Sequence, residues 1–211
     1  MSPTAASGHH LPNFFASAML HGLEDLLGAH GVRALLRLAG LGQWVQSPPD
    51  ASLGAEVDFA EFATLQASLA DLYGERSART MARRAGREIA QRTAELLEDI
   101  SSLLEEPAFK ALDAEERGAR LLDALAQALS QASSRQDRVE HVAGSLRYVA
   151  AVCPDCWGRA SDQPLCAVTT GWLEGVLSLL EGWESPSIQE VACAAMGADG
   201  CTFEVDRQGG T

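Results

Sequence analysis

The stretch IQEVACAAMGADGCTFEVD, residues 188–206, decides the fold. β-favouring residues lie on both sides of Met196-Gly-Ala-Asp-Gly200, so residues 188–195 and 201–206 read as the arms of a β-hairpin. Reflection through Gly197 sets Cys193 opposite Cys201, with Cβ atoms about 5 Å apart. Strand alternation then puts Val191, Cys193 and Ala195 on one face with Cys201, Phe203 and Val205, turned toward the core. Working upstream, residues 168–180 form an amphipathic helix with Trp172, Val176, Leu179 and Leu180 on one side and Gly182 as its stop. Before it, residues 138–142 and 146–152 are β-rich and flank Ala143, Gly144 and Ser145, which predicts a first hairpin.

The earlier part of the chain reads as helical. Phe14, Met19, Leu23, Leu26 and Leu27 recur at helical spacing between Asn13, a candidate N-cap, and Gly28, a stop; a short helix over 32–39 then ends at Gly40. Asp58 with Glu61 forms a capping box for a helix that buries Phe59, Phe62, Leu65, Leu69 and Tyr73 and closes at Gly74. Residues 77–104 read as a long helix weakened at Gly86, and Asp113 with Glu116 opens another through Leu121, Leu122, Leu125 and Leu129. The expectation is an α+β fold: a flexible tail over 1–12, a helical part over 13–137, and an α+β part over 138–207 that forms one domain with the helices. Its sheet is small and antiparallel, made of two hairpins separated by a helix.

Composition excludes several roles. Sixteen basic against twenty-nine acidic side chains leave a formal charge of −13, which repels nucleic-acid phosphates and anionic lipid headgroups. Glu24, Asp25 and Arg33 interrupt the first apolar segment and Glu174 and Glu181 the last, so no run approaches the roughly 18 apolar residues of a membrane span. With no basic residue ahead of an apolar run at the N-terminus, the expected location is cytoplasmic. The five cysteines all lie between Cys153 and Cys201, an odd set that suits a local metal or redox cluster better than a disulfide framework.

Two buried, facing thiols call for zinc, which takes four ligands and stabilises thiolates that burial disfavours. Spacing leaves two ways to complete the set. Cys166 and Glu190 supply one, although a separation of three residues puts Glu190 on the wrong face of a regular strand from Cys193, so the strand must bulge or start later. Cys153 and Cys156 supply the other, a C-x2-C knuckle making an all-cysteine site with Cys193 and Cys201. Small buried thiols without an ion are the plainer account of the same residues. His21, His30 and His141 read as ordinary surface or satisfied histidines, and His9 and His10 as part of the tail. Arg83, Arg84 and Arg87 read as a solvated helix face balanced by Glu88 and Glu95, with a grip on a ligand carboxylate as the sharper alternative.

Taken together, Cys166, Gly171 and Gly175, then Glu190-x2-Cys193-x3-Gly197-x3-Cys201-x-Phe203-x-Val205, resemble the 4-vinyl-reductase-type, or hydrocarbon-binding, domain family. That family includes a bacteriochlorophyll biosynthesis protein and the aromatic-sensing modules of certain bacterial activators. The resemblance implies a fold shared with Golgi vesicle-tethering subunits, a zinc ion on Cys166, Glu190, Cys193 and Cys201, and an apolar pocket between helices and sheet. It also implies a hydrophobic ligand, with a tetrapyrrole among the candidates, and a homodimer formed through the helical part. Tyr148, Trp157, Trp172 and Phe203 are the candidate pocket-wall residues. A binding or carrier role is the reading preferred, because a closed four-ligand zinc site is structural. The family's name offers a second, reduction of a tetrapyrrole vinyl group, but neither a strand leading into G-x-G-x-x-G nor a cluster motif supplies the electrons. A ligand-sensing interaction module is a third.

Overall fold

The computed structural model describes residues 5–142 and 145–207. Its elements run β1 (His10–Pro12), α1 (Asn13–Leu38), α2 (Gln43–Gln46), β2 (Ala55–Asp58), α3 (Phe59–Tyr73), α4 (Glu75–Leu96), α5 (Glu98–Glu105), α6 (Pro107–Lys110) and α7 (Ala114–Ala132). Then follow β3 (Asp137–Val142), β4 (Ser145–Ala150), α8 (Ala167–Leu177), β5 (Pro186–Ala192) and β6 (Cys201–Arg207). One antiparallel sheet has the order β3-β4-β6-β5, so two hairpins separated by α8 lie side by side, and the α+β expectation holds. The turn at Ala143 and Gly144 lies outside the described residues.

Local signals explain most element ends. The Asp58 side chain accepts from the Ala60 backbone N–H at 2.7 Å, and Glu61 reaches back to the Asp58 N–H, completing the capping box. Asp113 accepts from Glu116 N at 2.9 Å and starts α7 as expected. Gly28 bends α1 with φ +68° rather than ending it, and helical turns resume at once. The N-cap of α1 is Pro12; Asn13 is instead buried, donating to Asp50 and Glu56.

Several expectations change once packing is considered. The supposed tail is held from Ser7 onward, because β1 pairs with β2, Leu11 is fully buried, and His10 exchanges hydrogen bonds with Ser134. The long helix breaks at Leu97, with φ −88° and ψ 100°, and not at Gly86. Helix α8 ends at Leu177, so Leu179 turns out to solvent, 45% exposed.

Gly86 lies inside α4 because α8 crosses there. A Cβ on Gly86 would come within 2.2 Å of the Val168 carbonyl oxygen, and one on Gly171 within 1.9 Å of the Arg83 carbonyl oxygen. Gly175 meets Ala90 in the same way. Helices α4 and α8 therefore touch backbone to backbone, which only glycine allows. Glu174 of α8, 5% exposed, is gripped on this interface by Arg83 and Arg87 of α4, the latter at 2.9 Å. The basic face of α4 is thus balanced by Glu174 and not by Glu88 or Glu95. On its other side α8 sends Trp172 against Tyr148 of β4 and Phe15 of α1, ring centroids 5.7 and 6.1 Å away, which joins the sheet, α8 and α1 into one core. No helix is long and apolar enough to cross a membrane among the described residues.

Gly171→Ala is expected to lower stability by about 3 kcal/mol, since two backbones must separate to admit the methyl group. Gly42→Ala, at a position with open space around it, serves as the near-neutral control in the same urea titration.

Candidate metal centre and the polar core beside it

Four elements converge on one point. Cys201 opens β6, and Cys193 closes the opposite arm before a 3₁₀ turn over Ala194–Met196 that Gly197 ends in the left-handed conformation, φ +91°. Cys166 is the residue before α8, and Cys153 and Cys156 lie in the loop after β4. All five thiols are buried, none more than 4% exposed. Asp155 fixes that loop, accepting from the backbone N–H of Thr169 in the first turn of α8 at 2.8 Å. This is a cap delivered from outside the helix.

The register of the second hairpin resolves the facing problem noted for Glu190. Ile188, Gln189 and Glu190 oppose Val205, Glu204 and Phe203, but Ala192 opposes Thr202, so the chain bulges at Val191. The bulge returns Glu190 to the face of Cys193 and turns Val191, expected inward, to solvent at 44% exposure. Glu190 Oε2 accepts from Cys166 N at 2.9 Å; its Oε1 is buried without a protein partner.

The ligand atoms of Cys166, Glu190, Cys193 and Cys201 lie within 4.8 Å of one another, and so do those of Cys153, Cys156, Cys166 and Cys201. In the second group Cys166 stands where spacing had put Cys193. Sulfur–sulfur distances are 3.5 Å for Cys166–Cys201, Cys153–Cys166 and Cys156–Cys201, and 3.9 Å for Cys166–Cys193. A tetrahedral ion with bonds near 2.3 Å to sulfur sets its ligands about 3.8 Å apart, so the spacing fits a metal ion. The orphaned Glu190 Oε1 fits one as well.

The electrostatics agree. Burial pushes the Glu190 carboxyl up to about 8 and the Asp155 carboxyl up to about 7. Burial likewise drives the Cys166 thiol well above its usual range, whereas Cys156, then Cys166 and Cys201, donate to Cys153 and hold it well below. Ala194 N adds a backbone donor to Cys201 Sγ at 3.3 Å. Six ionisable groups crowded this way call for a compensating positive charge.

The candidate pocket-wall residues separate into two groups. Tyr148, Trp172 and Phe203 are fully buried, Tyr148 and Phe203 being direct partners across β4 and β6. Trp157 lies apart, half-buried, packed edge-on against His9 and Phe59 at 4.9 and 6.1 Å. Beneath Trp172 is a polar group the sequence reading missed. Arg135 Nε donates to Asp137 Oδ2 at 2.5 Å, Tyr148 Oη donates to the same oxygen at 2.7 Å, and the guanidinium lies 5.5 Å from the Trp172 ring and 5.9 Å from that of Phe15. Arg135 Nη2 and Asp137 Oδ1 are buried without partners. Within the polar run Ser133-Ser-Arg-Gln-Asp137 nothing distinguishes these two charges from loop residues; only their i, i+2 spacing at a strand entry hints at a shared face.

Residues 146–207 match the family described as the V-4-R, or 4-vinyl-reductase, domain, so this part of the chain carries such a domain, as the cysteine and glutamate pattern implied. No curated protein matches the sequence. Among solved structures the chain is similar to a doubly substituted Tt H-NOX, with a TM-score of 0.58 and 15% identity over 92% of this chain and 93% of that one. It is similar also to an H-NOX protein from S. oneidensis in the Fe(II)NO ligation state, with a TM-score of 0.54 and 13% identity over 90% and 98%. A third is the phenol-responsive sensory domain of the transcription activator PoxR with phenol, with a TM-score of 0.50 and 18% identity over 70% and 73%. At these identities the likeness establishes a common fold.

Asp137→Ala strands the Arg135 charge in the core and is expected to cost about 3 to 5 kcal/mol in urea unfolding. Replacing both members, Arg135→Met with Asp137→Leu, is expected to recover most of that loss, because no uncompensated charge remains.

Proposed function

We propose that this chain is a small-molecule-binding module of the sensory kind, taking an apolar ligand that carries a hydroxyl or similar polar group, and that a zinc ion on Cys166, Glu190, Cys193 and Cys201 keeps its binding region in shape. The observation that carries the reading is the placement of α8. Its N-terminal end is part of the metal donor cluster, and its middle sets Trp172 over the Arg135–Asp137–Tyr148 group. An apolar enclosure with a few convergent polar groups is what ligand sites are made of. A hydroxyl both donates and accepts, so one such group on an aromatic ring suits Arg135 Nη2 and Asp137 Oδ1 together. The 4-vinyl-reductase domain match and the fold shared with a phenol-responsive sensory domain support the same ligand class.

A single substituted ring asks Tyr148, Trp172 and Phe203 to yield less than a tetrapyrrole would, since all three are closed off from solvent. The zinc would be structural. Four protein ligands leave no open position, and such an ion contributes its binding energy to folding.

Calorimetric titration of the zinc-loaded chain with phenol tests the ligand reading. One saturable site is expected, weakened about tenfold or more by Arg135→Met, since a buried charge-assisted hydrogen bond is lost. Absence of saturable binding by phenol and by protoporphyrin IX alike overturns it. For the metal, Cys193→Ser is expected to lower zinc content and to drop the thermal midpoint by roughly 10 °C. Elemental analysis alongside a melting curve reads both, and a variant that keeps its zinc and melts like the parent removes the ion from this set.

A further inference from the structure

One tetrahedral ion takes four ligands, yet six donors are gathered here: five thiols and Glu190. The two groups share one edge, Cys166 and Cys201, whose sulfurs are 3.5 Å apart. Four ligands and four ligands with two in common make six, so two edge-sharing tetrahedra use every donor. We propose that the centre holds two divalent ions, one on Cys166, Glu190, Cys193 and Cys201 and the other on Cys153, Cys156, Cys166 and Cys201, with the Cys166 and Cys201 thiolates bridging them. The first of these ions is the zinc of the preceding reading, on which this inference rests; the second is additional to it.

Three features favour two ions over one. A single ion on the glutamate-containing set leaves Cys153 and Cys156 as unliganded thiols, 4% and 3% exposed, each 3.5 Å from one of the shared sulfurs. Those contacts are divided, Cys153 to Cys166 and Cys156 to Cys201, so the loop pair approaches both ends of the shared edge. The loop is also pinned. Asp155, between the two cysteines, accepts from Thr169 N on the helix that begins just after Cys166, and Arg159 N donates to the Cys156 carbonyl at 3.1 Å. A cysteine pair fixed toward an already complete site is what a second ion requires. Charge permits it too. Two dications against five thiolates and one carboxylate leave −2, the same balance as one dication against three thiolates and that carboxylate. Thiolate sulfur has the lone pairs to hold two zinc ions, as in two-zinc, six-cysteine modules. Each thiol that becomes a ligand gives its proton to solvent, so uptake of the second ion releases further protons.

The full chain, loaded with zinc, is weighed by native mass spectrometry and its metal counted by elemental analysis. Two ions per chain are expected. The pair Cys153→Ser with Cys156→Ser is expected to retain one, as is the pair Glu190→Gln with Cys193→Ser. One ion on the parent chain overturns this inference while leaving the single-zinc reading intact; no ion overturns both. Because the variants can fail to fold, the parent is also loaded with cadmium-113 and its metal resonances recorded. Two resonances, each split by the other through shared sulfur, are expected. Two unsplit resonances overturn the bridging arrangement.

Discussion

The backbone of α8 lies against that of α4 at a separation that only hydrogen atoms on Gly86, Gly171 and Gly175 permit. This contact fixes the helix between two layers, and much else follows from it. Once α8 is seated, Cys166 at its start is committed to one place, Trp172 in its middle faces the sheet, and Glu174 faces away toward Arg83 and Arg87. A carboxylate on an interface this close would be costly alone; with two guanidiniums whose outer parts reach water, it becomes a latch between the helices.

Two polar islands sit in the same hydrophobic interior, and they differ in what they lack. The thiol and carboxylate cluster carries an excess of groups that ionise to anions, with burial opposing that charge, so its chemistry asks for a cation. The Arg135–Asp137–Tyr148 group is balanced in charge but incomplete in hydrogen bonds, so it asks for a neutral partner that donates and accepts. Asp155 and α8 tie the two together: the loop from β4 that bears Cys153 and Cys156 caps the helix that presents Trp172. A change at either island is therefore transmitted through one short helix rather than through a loop.

Interaction with water and hydrogen bonding between close neighbours were the legible parts of the sequence. Asp58 with Glu61, and Asp113 with Glu116, announce helix starts because each motif is satisfied within a single turn. The second hairpin was readable for a similar reason, and the odd spacing of Glu190 and Cys193 already demanded the bulge that Val191 supplies. Gly86 was misleading. Taken alone, a glycine inside a helix weakens it, and the reason for its presence, the carbonyl of Val168, lies some eighty residues later in the chain. Leu11, Ser7 and His10 look like tail residues until strand β2 and Ser134 are brought beside them.

By itself the amino-acid sequence determined the α+β class, the two hairpins with a helix between, the cysteine and glutamate pattern of a 4-vinyl-reductase domain, and an acidity that disfavours polyanions. Each depends on periodicity, spacing or net charge, which are properties of the chain in one dimension. Tertiary structure alone decided that Cys153 and Cys156 join the other donors around a shared Cys166–Cys201 edge, and that Arg135 and Asp137 face Trp172. Those are distances between segments whose separation along the chain carries no information about their separation in space, and they are set by how closely α8 can pack.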